Sequence, residues 1–222
     1  LERALKLFED DKEVRALIIT GAGEKGFSAG FDVSEATRAA EIGPKGQALF
    51  TRIERYPKPV VAAINGYALG GGCELTMACH FRIMVDTEKA KIGCPEINLG
   101  LIPGWGGTQR MPRLLGKGRA LDMLILGKRI NAPEALNIGL INKVSRPAEL
   151  MKDAKDLAKR LAKQAPIAVK CIIDSVNRGL ETSIEQGLKI EAENLSIVSR
   201  TKDAIEGMMA FAQKREAQFK GE

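Results

Sequence analysis

The stretch that decides the fold is Ala68-Leu-Gly-Gly-Gly-Cys-Glu-Leu-Thr-Met-Ala-Cys79. Upstream, Pro59-Val-Val-Ala-Ala-Ile64 is short, apolar and β-branched, the pattern of a buried strand. Asn65-Gly66 supplies turn chemistry. Cys73 to Cys79 carries neither Gly nor Pro and reads as a helix. Gly70, Gly71 and Gly72 therefore sit at the mouth of that helix, where free N–H groups and the positive dipole end point outward. Glycine lets a ligand approach such a backbone closely. Glu74 falls in the first helical turn, beside that pole. On this stretch alone, a tight turn with a favourably placed acid and an anion hole with a catalytic carboxylate are both open readings.

Working outward, the 222 residues suffice for one large domain or a core with an appendage. With 45% hydrophobic and 28% charged residues the chain is globular and needs no staples to bury a core. No apolar run approaches the roughly 18 residues of a membrane span. Cys73, Cys79, Cys94 and Cys171 form no CxxC pair and no zinc spacing, so reduced, buried thiols are expected. The net charge of +6 suits an anionic ligand, but the lysines are scattered and the aromatics few, so nucleic acid is an unlikely partner.

Val14 to Thr20 reads as a strand, and Gly21-Ala-Gly-Glu-Lys-Gly26 after it is a formal GxGxxG. A dinucleotide site would require a helix to open here, yet Gly26, Phe27 and Gly30 interrupt it; a loop is the better reading. Phe27 to Asp32 reads as a second glycine turn. Val33 to Ala40 and Gln47 to Tyr56 read as helices split by Gly43-Pro44. Further on, Phe81 to Val85 is a strand and Lys91 to Gly93 is extended. Gln109 to Leu115 and Gly118 to Leu126 are helical, and Asn131-Ala-Pro-Glu134 opens a helix with Asn as its cap. After Pro147 come four helices: 149–164, 167–178, 183–199 and 202–220. Their cations Lys152, Lys155, Lys159, Arg160 and Lys163 lie mainly opposite the apolar face of the first of them. No sequence repeat is convincing.

The chemistry narrows by elimination. His80 is the single histidine, without GxSxG, and reads as structural. Scattered cysteines and one histidine make no metal site. Glu74 and Glu96 remain, each in apolar text shaped by Gly or Pro. Buried carboxylates can shuttle protons near neutrality, and glycine-rich N–H donors can hold an anion, so a reaction of a polarised carbonyl is plausible.

The chain resembles the enoyl-CoA hydratase/isomerase (crotonase) family. Four segments carry the resemblance: Gly26-Phe-Ser-Ala-Gly-Phe-Asp32, Lys58 through Leu75, Pro95 through Arg110, and Phe211-Ala-Gln-Lys-Arg215. It implies an α/β fold, the crotonase spiral of repeated ββα units over 1–146, with a C-terminal helical trimerisation region over 147–222. Relatives carry a further N-terminal strand and turn that help bind the CoA nucleotide, which is expected to be missing before Leu1. The resemblance implies an oxyanion hole from the backbone N–H groups of Phe31 and Gly71. It makes Glu74 and Glu96 the catalytic pair, and Ala29, Asp32, Val33, Gly104 and Trp105 substrate-binding, with packing as the other role open to Trp105. The implied reaction is syn hydration of a trans-2-enoyl-CoA to a 3-hydroxyacyl-CoA, with no metal and no cofactor beyond the coenzyme A of the substrate. Implied partners are the acyl-CoA thioester and further copies of the chain, as a homotrimer or a hexamer built as a dimer of trimers, in the cytoplasm or an organelle matrix. An isomerase, hydrolase or decarboxylase of the same family, or a non-catalytic RNA-binding relative, are the alternatives.

Overall fold

The computed structural model describes residues 1–23, 25–32, 34 and 38–222. They form two compact units. One gathers Ile18–Glu54 and Val60–Asp156; the other gathers Leu1–Leu17, Arg55–Pro59 and Leu157–Glu222.

After α1 (Glu2–Glu9), the chain makes the same move three times: strand, strand, helix. The first pass is β1 (Leu17–Thr20), β2 (Gly26–Ser28) and α2 (Ala39–Glu54). The second is β3 (Val60–Ile64), β4 (Tyr67–Leu69) and α3 (Gly71–Ala78). The third is β5 (Phe81–Val85), β6 (Ile92–Gly93), a 3-10 turn over Glu96–Leu99 and α4 (Gly107–Leu115). Each strand pairs in parallel with its counterpart from the next pass. The first strands, with β7 (Lys143–Ser145), make a sheet ordered β1-β3-β5-β7; the second strands make one ordered β2-β4-β6. In β3 every residue is buried, as expected of a parallel strand covered on both faces. Between α4 and β7 lie α5 (Lys117–Ile125) and α6 (Ala132–Asn137). The cap read at Asn131 is present: its side chain accepts from Glu134 N, and Glu134 returns the bond to Asn131 N.

Several sequence readings are corrected. The strand expected over 14–20 covers only Leu17–Thr20. The glycine turn at Phe27 begins as a strand, because pairing with β4 (Gly26 opposite Tyr67, Ser28 opposite Ala68) imposes extension that its composition does not signal. Tyr67–Leu69 is likewise a strand that the sequence reading passed over. The break expected at Gly43-Pro44 is absent: α2 runs through Pro44, anchored by buried Phe50 and Ile53, so packing overrides local propensity. Val33 and residues 35–37, read as helical, lie outside the described residues.

The second unit holds α8 (Pro166–Gly179), α9 (Ile184–Val198) and α10 (Lys202–Ala212), with the end of α7 (Leu150–Ala162). Its core includes Leu5, Tyr56 and Ile190, and the Tyr56 hydroxyl donates to Leu5 O at 2.8 Å. The last helix stops at Ala212 and not at Lys220. The tail turns back because Glu206 binds Arg215 and Gln218 N, while Asp203 accepts from Lys220 N and Gly221 N. The lysines and arginine of α7 and its end are exposed, as expected of a solvated face.

Candidate active site

The second strands of the three passes deliver the site. The chain leaves β2 into Ala29–Phe31, leaves β4 into Gly70-Gly71, and leaves β6 into Cys94–Glu96. Gly30 and Gly70 have positive φ, 86° and 55°. A Cβ on Gly30 would stand 2.5 Å from the backbone nitrogen of Gly71, and one on Gly70 would stand 2.9 Å from Oε1 of Glu96. Glycine is therefore required at both places, to let two backbone segments and a carboxylate converge.

A cavity of about 260 Å³ lies there. Of the sequence-selected residues it is lined by Ala29, Phe31, Gly71, Glu74, Glu96, Gly104 and Trp105, with Ile42, Leu69, Leu99, Leu101 and Ile102 giving apolar walls. Asp32 does not line it: that side chain is exposed and accepts from Ser34 N and Oγ. Val33 lies outside the described residues. Trp105 is packed edge-on against Phe31 (centroids 6.1 Å) and Phe50 (5.4 Å), so it serves as wall and packing element at once.

The two carboxylates have different surroundings. Glu74 is buried at 2% exposure, and its Oε1 accepts from Trp105 N at 2.8 Å and Gly107 N at 2.7 Å. These donors form the N-terminus of α4, capped by Gly106, so the helix mouth that holds Glu74 belongs to α4 and not to α3, the sequence's candidate. Burial pushes the Glu74 carboxyl upward; the N–H groups of Gly107 and Trp105 and the charge of Arg110 pull it back. Glu96 has weaker support, from its own backbone N–H. Its Oε2 is buried with no hydrogen-bond partner among the described residues. Burial raises its pKa to about 7, with the Glu74 charge adding to the rise.

The sequence reading missed Arg110 and Glu54. Arg110 is buried, donates from Nη1 to Trp105 O at 2.8 Å, and grips Glu54 Oε2 from Nε (3.1 Å) and Nη2 (2.9 Å). A single cation among Thr108, Gln109 and Arg113 leaves no periodic signal; its one trace is its place three residues after Gly107. His80 is structural, as read: Nδ1 accepts from Val60 N, Nε2 faces Glu54 O, and burial lowers its pKa. The four cysteines are buried and unpaired. Among the described residues no His/Cys/Asp/Glu cluster could hold a metal ion, and no helix is long and apolar enough to cross a membrane.

A stack of ββα units that sets a buried and a half-buried carboxylate on one apolar cavity defines the class, and comparison with known proteins gives the family. The chain belongs to the enoyl-CoA hydratase/isomerase family, whose model matches residues 1–222. It is 46% identical to the crotonyl-CoA hydratase of Syntrophomonas wolfei, over 99% of this chain and 85% of that protein. It is 45% identical to the short-chain-enoyl-CoA hydratase of Clostridium acetobutylicum, over 93% and 80%. A crystal structure of an enoyl-CoA hydratase from Bacillus anthracis superimposes with a TM-score of 0.94 at 39% identity, covering 100% of this chain and 87% of that one. The fold is thus the crotonase fold.

The unequal carboxylates predict a pH-dependent stability difference. Glu96 keeps its proton in the folded state up to about 7, whereas the unfolded chain releases it near 4.5. Across that window the folded state binds more protons, so the Glu96 contribution is complete below 4.5 and is lost as pH rises to about 7. Wild type should therefore lose Tm relative to Glu96→Gln between pH 5 and pH 8, read by thermal melts in matched buffers; parallel curves would remove the raised pKa.

Proposed function

We propose that the chain is an enoyl-CoA hydratase acting by reversible syn addition of water to a trans-2-enoyl-CoA. The observation that carries this reading is the unequal pair: one carboxylate held by two N–H groups near a cation, the other with one oxygen buried and unpartnered and protonated up to about pH 7, both on one cavity. The thioester oxygen sits on the N–H groups of Phe31 and Gly71. Glu74, ionised, orients a water and takes a proton from it as its oxygen bonds to C3. Negative charge moves through the C2–C3 double bond onto the thioester oxygen, where the two N–H groups hold it. Glu96 gives its proton to C2, and the proton taken by Glu74 restores the pair. Ala29, Gly104 and Trp105 wall the acyl group.

The reaction uses no cofactor, since coenzyme A arrives as part of the substrate. Residues 147–222 act as the trimerisation region, giving a homotrimer or a dimer of trimers. Support comes from the apolar side chains exposed on α8 to α10, among them Ile172, Val176, Leu180, Leu195 and Phe211, the last 88% exposed. Reduced buried cysteines support a cytoplasmic or organelle-matrix setting.

The test is hydration of crotonyl-CoA and longer trans-2-enoyl-CoAs, with mass spectrometry of the product. Gain of one water on the shorter substrates is expected. Migration of the double bond of a 3-enoyl-CoA with no hydration would overturn the proposal.

A further inference from the structure

We propose that Arg110, aimed by Glu54, is the positioning residue that fixes the Glu74 carboxylate for its task. The inference rests on the hydratase reading above.

Glu74 has one set of fixed partners, the N–H groups of Trp105 and Gly107. Both belong to the loop entering α4, which is glycine on three sides of Trp105: Gly104, Gly106 and Gly107. Such a loop has no stiffness of its own. The Trp105 ring is packed between Phe31 and Phe50, Gln47 donates to Gly104 O at 2.9 Å, and the Arg110 guanidinium fixes the peptide between them by binding the Trp105 carbonyl at 2.8 Å. A Cβ on Gly106 would collide with Nη1 of Arg110, so the loop backbone passes close against the end of the guanidinium. The guanidinium cannot drift, because Glu54 on α2 takes Nε and Nη2 on one carboxylate oxygen, with Thr51 Oγ1 at 3.4 Å. Arg110 thus holds the loop by its carbonyl, and the loop holds Glu74 by its amides. The guanidinium adds a second effect: its charge favours the ionised form of Glu74.

The other groups around Glu74 work the opposite way or not at all. From the β6 exit come Glu96 and Cys94, and the charge of Glu74 pushes the pKa of both upward. Cys73 is its neighbour on α3 and lies against Cys94. From α2 comes Glu54, already bound to Arg110. β2 and β4 bring no charged side chain, and the Tyr67 ring lies against Gly26. Arg110 therefore acts on Glu74 chiefly by holding the loop whose amides bind it, and its charge adds to theirs.

The experiment compares wild type with Arg110→Lys, Arg110→Gln and Glu54→Gln, with the fold checked by circular dichroism. Arg110→Lys keeps the charge but loses the planar fork. We expect kcat for crotonyl-CoA to fall about tenfold, with KM within about twofold and the acid limb of the pH profile in place. Arg110→Gln should lose about a hundredfold in kcat and move the acid limb to higher pH, because Glu74 then holds its proton longer. Glu54→Gln should lose kcat to an intermediate extent, and it carries the test if Arg110→Gln does not fold. Folded Lys and Gln variants with kcat within about threefold of wild type, or with a raised KM alone, would overturn the proposal. Carboxyl-13C glutamate NMR gives a readout without turnover: Glu74 should titrate higher in Arg110→Gln. If wild type does not hydrate enoyl-CoA yet this shift occurs, the hydratase reading fails and the positioning role stands.

Discussion

Glu74→Gln and Glu96→Gln each lower kcat for crotonyl-CoA hydration by about 10²- to 10⁴-fold, the range expected for loss of one positioned acid or base. At 74 the amide oxygen can still accept from Trp105 N and Gly107 N, so the loop into α4 stays in place and only the proton chemistry is removed. KM should hold within a few-fold. At 96 the amide cannot deliver a proton to C2. The double variant should lose little more than the worse single one, because the two groups act on one water and their effects do not add. The readout is product mass after timed quenching. If both variants hydrate crotonyl-CoA at the wild-type rate, the two-carboxylate mechanism is wrong.

Gly71→Ala is the second large effect, and it sets two forces against each other. Gly71 is the first residue of α3, where alanine is the better helix former by up to about 1 kcal/mol. A methyl there, however, collides with the six-membered ring of Trp105, and that ring is packed against Phe31 and Phe50. Overpacking of this kind costs about 1–3 kcal/mol, so the collision wins and Tm falls. Activity should fall further than stability. Relief of the clash moves either the Gly71 N–H or Trp105, and Trp105 N is one of the two donors on Glu74. We expect kcat/KM to drop at least about a hundredfold. Wild-type kcat/KM in a folded Gly71→Ala protein would show that this backbone position is not part of the hole.

Much of this was legible in the sequence, for identifiable reasons. Glu74 and Glu96 stood out because carboxylates in apolar text are costly and so conspicuous, and the structure sets both on one cavity. The Asn131 cap was legible because capping is a local bond between side chain and backbone. The ββα repetition was legible through the family resemblance and not through periodicity. Its second strands have three, three and two residues, too short for any period, and they are extended because their neighbours pair with them. Nor was the grip on Glu74 visible, since its donors are backbone amides that carry no residue-type signal. Arg110 sat in the quoted motif but gave no hint that it folds back on Trp105. Asp32, selected by resemblance, instead turns to Ser34 at the surface.

The stacking of β2, β4 and β6 has a consequence for how the site keeps its dimensions. Neighbouring rungs of a parallel sheet are about 4.8 Å apart, a spacing set by backbone hydrogen bonds alone. Phe31, Gly71 and Glu96 each follow the end of one rung, in order. The sheet is therefore a ruler, and the three groups are read off successive marks. A change of side chain at one rung's end can alter what is done at that mark without moving the other two. The same backbone can host a different reaction by editing one mark at a time, while the gauge itself is invariant to sequence.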